Sequence, residues 1–247
     1  MKNVYSHSLK ILSSQRDSLF RLRLDDALKL FQDIATFHAH ELGIDGPQLM
    51  EKDNAFWIVT RTVIHCHAIP VENEDITAKT WPLPTNGLRC ERCYTLSQNN
   101  EIKIAGVSEW VVIDAETRRP RRIESTHFPT DINYLTERAV TTSFTKMKDD
   151  FDDADFVYDT VIRSTDIDIT HHTNNSVYCS MLLDTFSVSE LEKTTITDLE
   201  ISYHKESLEG EKLRVFRKKN DGMSRFAIKK EDGTLVVLAE MKYIKTP

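Results

Sequence analysis

No stretch of this 247-residue sequence approaches the roughly 18 consecutive apolar residues that a bilayer-spanning helix needs. The opening residues, Met1-Lys2-Asn3-Val4-Tyr5-Ser6-His7-Ser8, lack the apolar core of a secretory signal and the Arg/Ser-rich character of a transit peptide. A cytoplasmic protein without membrane insertion is the expectation. Excess positive charge is missing too. The 39 acidic side chains outnumber the 32 basic ones for a net charge of −7, which argues against nucleic acid as the main partner. Cysteine is sparse: Cys66, Cys90, Cys93 and Cys179, expected to be reduced in the cytosol. Cys90 and Cys93 form one C-x-x-C, but a zinc ribbon needs a second pair, and on a strand positions three apart face opposite sides. No G-x-S-x-G elbow, Walker loop or dinucleotide fingerprint occurs, and no metal or redox cofactor is implied.

What remains is ordinary globular composition, 40% hydrophobic and 29% charged, in a length suited to one large domain or two of about 120 residues. Ala27, Phe31, Ile34, Ala35, His38 and Leu42 recur at helical spacing, so a helix is predicted from Asp25 to Leu42, with Gly43 as its stop. β-branched and aromatic runs predict strands at Trp57–Cys66, Ile76–Trp81, Leu88–Leu96 and Ile102–Ile113. Pro70, Asn73, Asn86-Gly87 and Asn99-Asn100 supply the turns between them.

A charged connector follows, in which Asp149 to Asp155 packs five aspartates into seven residues and is expected to stay solvated. The order then repeats. A strand is predicted at Val157–Arg163 and a helix at Asn175–Leu191, with Tyr178, Met181, Leu182 and Phe186 on one face. Further strands are predicted at Ile196–Tyr203, Lys212–Arg217, Arg225–Lys230 and Leu235–Ile244, with Asp221-Gly222 and Asp232-Gly233 as hairpin turns. Strand, helix and four strands, met twice, indicate a duplicated α+β unit whose antiparallel sheet wraps a single helix.

Chemistry concentrates in Asp166-Ile167-Asp168-Ile169-Thr170-His171-His172-Thr173-Asn174-Asn175-Ser176-Val177-Tyr178, immediately before the second helix. Helix N-termini present unpaired N–H groups and positive potential, suited to an oxygen that gains charge during acyl transfer. Glu206 or Asp168 suits a base that takes a proton from water, and His172 suits a donor or a water-orienting group. A plainer reading also fits: Asp166 or Asp168 pairs with Arg163, and the asparagines cap the helix. His65 and His67 share a strand face, more in keeping with a structural pair than a metal site. His38 lies on the apolar face of the first helix, and Cys179 has the place of a small buried residue. Thr117-Arg118-Arg119-Pro120-Arg121-Arg122 is the one dense basic patch. It suits an acidic carrier or the phosphates of a nucleotide-like handle, or a solvated strand exit.

Asp166 to Tyr178 resembles the D-x-D-x-N-x-H-x-N-N-x-x-Y signature of the acyl-ACP thioesterases. Other blocks match that family in order: Gln32-Asp33-Ile34-Ala35 with His38 and Leu42-Gly43, Trp57 to Arg61, Thr80-Trp81-Pro82, Arg89 to Arg92, and Ser108 to Asp114 followed by Thr117 to Pro120. The resemblance implies an α+β fold of two tandem hotdog domains, each a long central helix wrapped by an antiparallel β-sheet. Residues 1–130 would form the first, holding the acyl-chain pocket, 131–155 a linker, and 156–247 the second, with the catalytic residues. It places the catalytic set on Asp168, Thr170, His172 and Glu206, and substrate binding on Asn174, Asn175, Trp81 and His38. It implies hydrolysis of fatty acyl-ACP thioesters to free fatty acid, with acyl carrier protein as partner and a homodimer left open. Two positions depart from the family. Thr170 replaces the usual asparagine, offering one hydroxyl in place of an amide. Ser207 stands where plant members often carry cysteine, which removes a cysteine nucleophile and favours water activated by Glu206. The competing readings are a hotdog acyl-CoA thioesterase and an acyl-binding module that lost activity through the Thr170 change.

Overall fold

Strand alternation and helical periodicity both carry through into the computed structural model, which describes residues 3–71, 75–85 and 87–245. Asn73 and Asn86 lie outside the described residues. The first half contains β1 (Tyr5–Lys10), α1 (Leu24–Glu41), α2 (Gly46–Asp53), β2 (Ala55–Cys66), β3 (Asp75–Pro82), β4 (Cys90–Gln98), β5 (Glu101–Asp114) and the short β6 (Pro120–Arg121). The second half contains β7 (Phe156–Val161), α3 (Asn175–Leu183), α4 (Val188–Glu192), β8 (Thr194–Tyr203), β9 (Lys212–Asn220), β10 (Met223–Lys230) and β11 (Leu235–Lys245). The strand ahead of the first helix that the repeated order requires is β1.

The strands form one antiparallel sheet in the order β1-β3-β4-β5-β2-β8-β11-β10-β9-β7, with β6 added to β5. Read outward from the middle, the two halves have the same order, so the duplication in the sequence is a duplication in the sheet. The halves join through β2 and β8, paired from Arg61 opposite Ser202 to His65 opposite Asp198. Turn chemistry sets the hairpins. Asn99 and Asn100, both at positive φ, make the two-residue β4–β5 turn, and Asp221 with Gly222 at φ +68° makes the β9–β10 turn.

All six residues of the face predicted for α1 are buried. Gly43 follows at φ +77°, the left-handed stop that helix C-termini favour. Asp25 and Asp26 begin α1 almost buried, held by Arg23 and Lys29, while Ser180 of α3 donates to Asp25 at 2.9 Å. One apolar core runs from Leu28, Phe31 and Ile34 of α1 to Tyr178, Met181 and Leu182 of α3. The helix packs so closely on β5 that a Cβ built on Gly106 would lie 2.6 Å from Cε2 of Phe31. The Phe31 ring also stacks on the Tyr94 ring, with centroids 4.6 Å apart. Gly106→Ala is therefore expected to destabilise the protein by about 1–3 kcal/mol through overpacking, measurable by chemical denaturation.

Three expectations change. The second central helix is not one long element: α3 ends at Leu183 and α4 begins at Val188. Ser187 and Glu190 form a capping box that starts a new helix, and Arg217 donates to the Thr185 carbonyl at 2.8 Å in the gap. α2, too short to show a helical period, is set by local signals: Asp45 accepts from the Gln48 N–H, Pro47 lies in the first turn, and Asn54 closes the helix at φ +49°. The aspartate run is not simply solvated. Asp149 pairs with Lys229, Asp150 with Arg225, Asp153 with Arg214 and Asp155 with Lys218, while Phe151 between them is buried. Those cations project from β9 and β10, so the run straps the connector onto the second half. Among the described residues no helix is long and apolar enough to cross a membrane.

Candidate active site

The polar segment ahead of α3 folds into a tight loop that its own side chains organise. Asp168 Oδ1 accepts from the backbone N–H of Thr170 at 2.8 Å and from its hydroxyl at 2.6 Å. His171 takes φ +62°, and the Asp168 N–H returns to the His172 carbonyl at 2.9 Å. An isolated bridge of Ile167 with Thr173 closes the loop. Asn174 caps α3, its Oδ1 accepting from the Ser176 N–H at 2.9 Å, so the capping reading holds for this residue. Asp166 accepts from the backbone N–H of Arg163 at 2.8 Å, a local turn contact.

Glu206 reaches this loop from the opposite direction. It lies beyond the end of β8, not within a strand, because the chain leaves the ladder at Tyr203. The following segment is tied to the loop instead: the Thr173 N–H and hydroxyl donate to the Ser207 carbonyl at 3.0 and 2.9 Å. As a result Glu206 Oε2 stands 3.1 Å from His172 Nε2, and His172 Nδ1 stands 3.3 Å from the Thr170 hydroxyl. Glu206, His172, Thr170 and Asp168 thus form one connected chain. Since the Thr170 hydrogen is directed at Asp168, the Thr170 oxygen accepts from Nδ1, and a ring that donates at both nitrogens satisfies both contacts. His172 and Glu206 are partly open, with side chains 26% and 36% exposed.

Arg118 is the partner that local sequence does not announce. Its guanidinium lies 3.4 Å from Glu206 and stacks over the Phe56 ring at 4.8 Å. The turn after β5 directs it there, with Arg118 itself at φ +57°.

Beside the loop opens a cavity of about 340 Å³. Leu28, Phe31 and Ala35 of α1 form one wall, and Trp57, Tyr94 and Trp110 of the first-half strands form another. Asp168, Ile169, Thr170, Asn175 and Ser176 belong to its lining as well. The four sequence-predicted catalytic positions therefore meet, and Asn175 lies with them at the start of α3. Asn174 turns its side chain to the helix cap. Trp81 and His38 fall outside the lining. Trp81 donates to the Glu137 carbonyl at 3.0 Å, and His38, fully buried, accepts from Arg92 through Nδ1 at 3.1 Å. Cys90 lines the cavity, yet burial pushes its thiol up to about 12, so it is not a thiolate near neutral pH. Cys93 faces the other side of β4, in a separate cluster with Val107 and Val140. His65 meets a carboxylate from the other half, Asp198 of β8 at 2.8 Å.

Models of the acyl-ACP thioesterase N-terminal and C-terminal domains match residues 2–128 and 150–245. The chain belongs to the acyl-ACP thioesterase family. An acyl-[acyl-carrier-protein] hydrolase of Cuphea viscosissima is 25% identical over 194 residues, 74% of this chain and 47% of the relative. A palmitoyl-acyl carrier protein thioesterase of Gossypium hirsutum is 23% identical over 215 residues, covering 82% and 52%. This member of the family spans about half the length of the curated relatives it matches. In structure it is similar to an acyl-ACP thioesterase from Bacteroides thetaiotaomicron, with a TM-score of 0.89, 21% identity and 98% of each chain covered. The 12:0-ACP thioesterase from Umbellularia californica gives a TM-score of 0.86 at 19% identity over 100% of this chain and 99% of the other. The fold is the α+β tandem hotdog of that family.

Proposed function

We propose that this protein hydrolyses the thioester of fatty acyl-ACP, releasing free fatty acid and ending chain elongation. The observation that carries the reading is a largely apolar cavity whose wall includes Asp168, Thr170 and the start of α3, adjoining the His172–Glu206 pair. The first half, residues 1–130, holds the acyl chain; the second, 156–247, supplies the reacting groups, and 131–155 links them.

Glu206 takes a proton from water as the water oxygen attacks the thioester carbonyl carbon. The carbonyl oxygen, now negative, is held by the N–H groups at the start of α3 around Asn175. When the C–S bond breaks, the pantetheine sulfur leaves with a proton returned from the Glu206–His172 pair. His172 and Asp168 hold the base in place through Thr170. Each of these steps uses only the side chains and backbone groups named, with no metal or redox cofactor.

Beside Glu206, Arg118 with exposed Arg119 and Arg122 gives an acidic protein a local basic patch. That patch suits the phosphate of a pantetheine arm and an acidic carrier. The acyl-CoA alternative uses the same patch, so substrates decide between them. With acyl chains of equal length, kcat/KM is expected to be at least tenfold higher on acyl-ACP, and to fall with rising salt as a screened docking surface requires. Equal or higher kcat/KM on acyl-CoA would assign the activity to that substrate instead.

A further inference from the structure

The cavity wall carries a cation that a hydrocarbon tail cannot use. Arg92 on β4 is 7% exposed and lines the cavity. Among the described residues its hydrogen bonds leave from one nitrogen, Nη1, to His38 Nδ1 at 3.1 Å and the Thr80 hydroxyl at 3.3 Å. Both acceptors are uncharged here, His38 because its Nδ1 presents a lone pair. Among the described residues no carboxylate pairs with this guanidinium, and none accepts a hydrogen bond from Nε or Nη2. Buried arginines are ordinarily paired, since a charge without acceptors in an apolar setting is strongly disfavoured.

A second observation points the same way. Arg92 lies directly opposite Ser108 in the β4–β5 ladder. Ser108 links the Tyr94 hydroxyl at 2.8 Å and the Trp110 indole N–H at 2.6 Å, and all three of these residues line the same cavity. The β4–β5 wall thus carries a row of polar groups, and Arg92 is the charged one among them. A saturated chain would cover Arg92 and give it nothing to bond.

We propose that the cavity selects acyl chains bearing an oxygen function, a hydroxyl or oxo group, whose oxygen accepts from Arg92. The inference rests on the acyl-hydrolase reading for its substrate. Its chemistry is a charge-assisted hydrogen bond to one position along the chain, so it specifies a depth as well as a functional group.

The test uses acyl-ACPs of one length, saturated or carrying a hydroxyl or oxo group at successive carbons. One position is expected to exceed the saturated chain by about 10- to 100-fold in kcat/KM, the range of a hydrogen bond to a charged group. In Arg92→Met that ratio is expected to collapse or invert. A wild-type protein that prefers the saturated chain at every position, or a preference that survives Arg92→Met, overturns the proposal. Binding of the free hydroxy, oxo and saturated acids to the wild-type protein by calorimetry needs neither the variant nor turnover. Tighter binding of an oxygenated acid by a protein that hydrolyses nothing upholds the proposal while removing the hydrolase reading. Hydrolysis without oxygen preference does the reverse.

Discussion

Glu206→Gln is expected to lower kcat on acyl-ACP by about 10³-fold, with KM little changed, because it removes the base and keeps the shape. The substitution leaves an amide that still accepts from His172 and Arg118 but cannot take a proton from water. Folding should survive it. Glu206 is partly exposed, and its ion pair with the half-exposed Arg118 is of the surface kind, contributing about 1 kcal/mol or less. Steady-state kinetics alongside a thermal melt check both statements. Hydrolysis at a near-normal rate by a folded Glu206→Gln protein would remove Glu206 from the base role and leave Asp168 as the other carboxylate linked to His172.

The second large effect is expected at Thr170, and it follows from geometry. The hydroxyl donates to Asp168 at 2.6 Å and meets His172 Nδ1 at 3.3 Å, so it links the carboxylate to the imidazole. Thr170→Val keeps the branched shape and deletes both contacts. A loss of about 10²-fold in kcat is expected as His172 loses its alignment with Glu206. Thr170→Asn returns the family's usual residue, whose amide can replace both contacts, and its rate is expected to stay within about tenfold of the parent. A gain of about 10²-fold on this change would instead show that the native site is impaired, favouring the acyl-binding reading. Measuring both variants on the same acyl-ACP separates a hydroxyl that works from one that merely fills space.

Much of the fold is legible because its signals are local. Side-chain period marks α1 and the long strands within a few residues, and Asn99-Asn100 and Asp221-Gly222 mark hairpins through their tolerance of positive φ. Where prediction and structure part, a local signal was outweighed by periodicity or answered from afar. The predicted second helix runs through Thr185 to Ser187 because its apolar face continues to Phe186, yet the Ser187–Glu190 box restarts the helix. The aspartates of 149–155 look solvated until β9 and β10 bring four cations against them.

The site divides the same way. By itself the sequence determined the duplicated α+β order, the loop of Asp168, Thr170 and His172, and the cap at Asn174, since each rests on neighbours within a few positions. It also placed Glu206 among the candidates. Only the tertiary structure decided that Glu206 meets His172, that Arg118 crosses 88 positions to touch Glu206, and that Arg92 lines the cavity while Trp81 and His38 do not. Those contacts depend on which strands lie side by side, above all on the β2–β8 seam. Strand order is set by the burial of the whole sheet around its helices, a sum over distant residues that no short window contains.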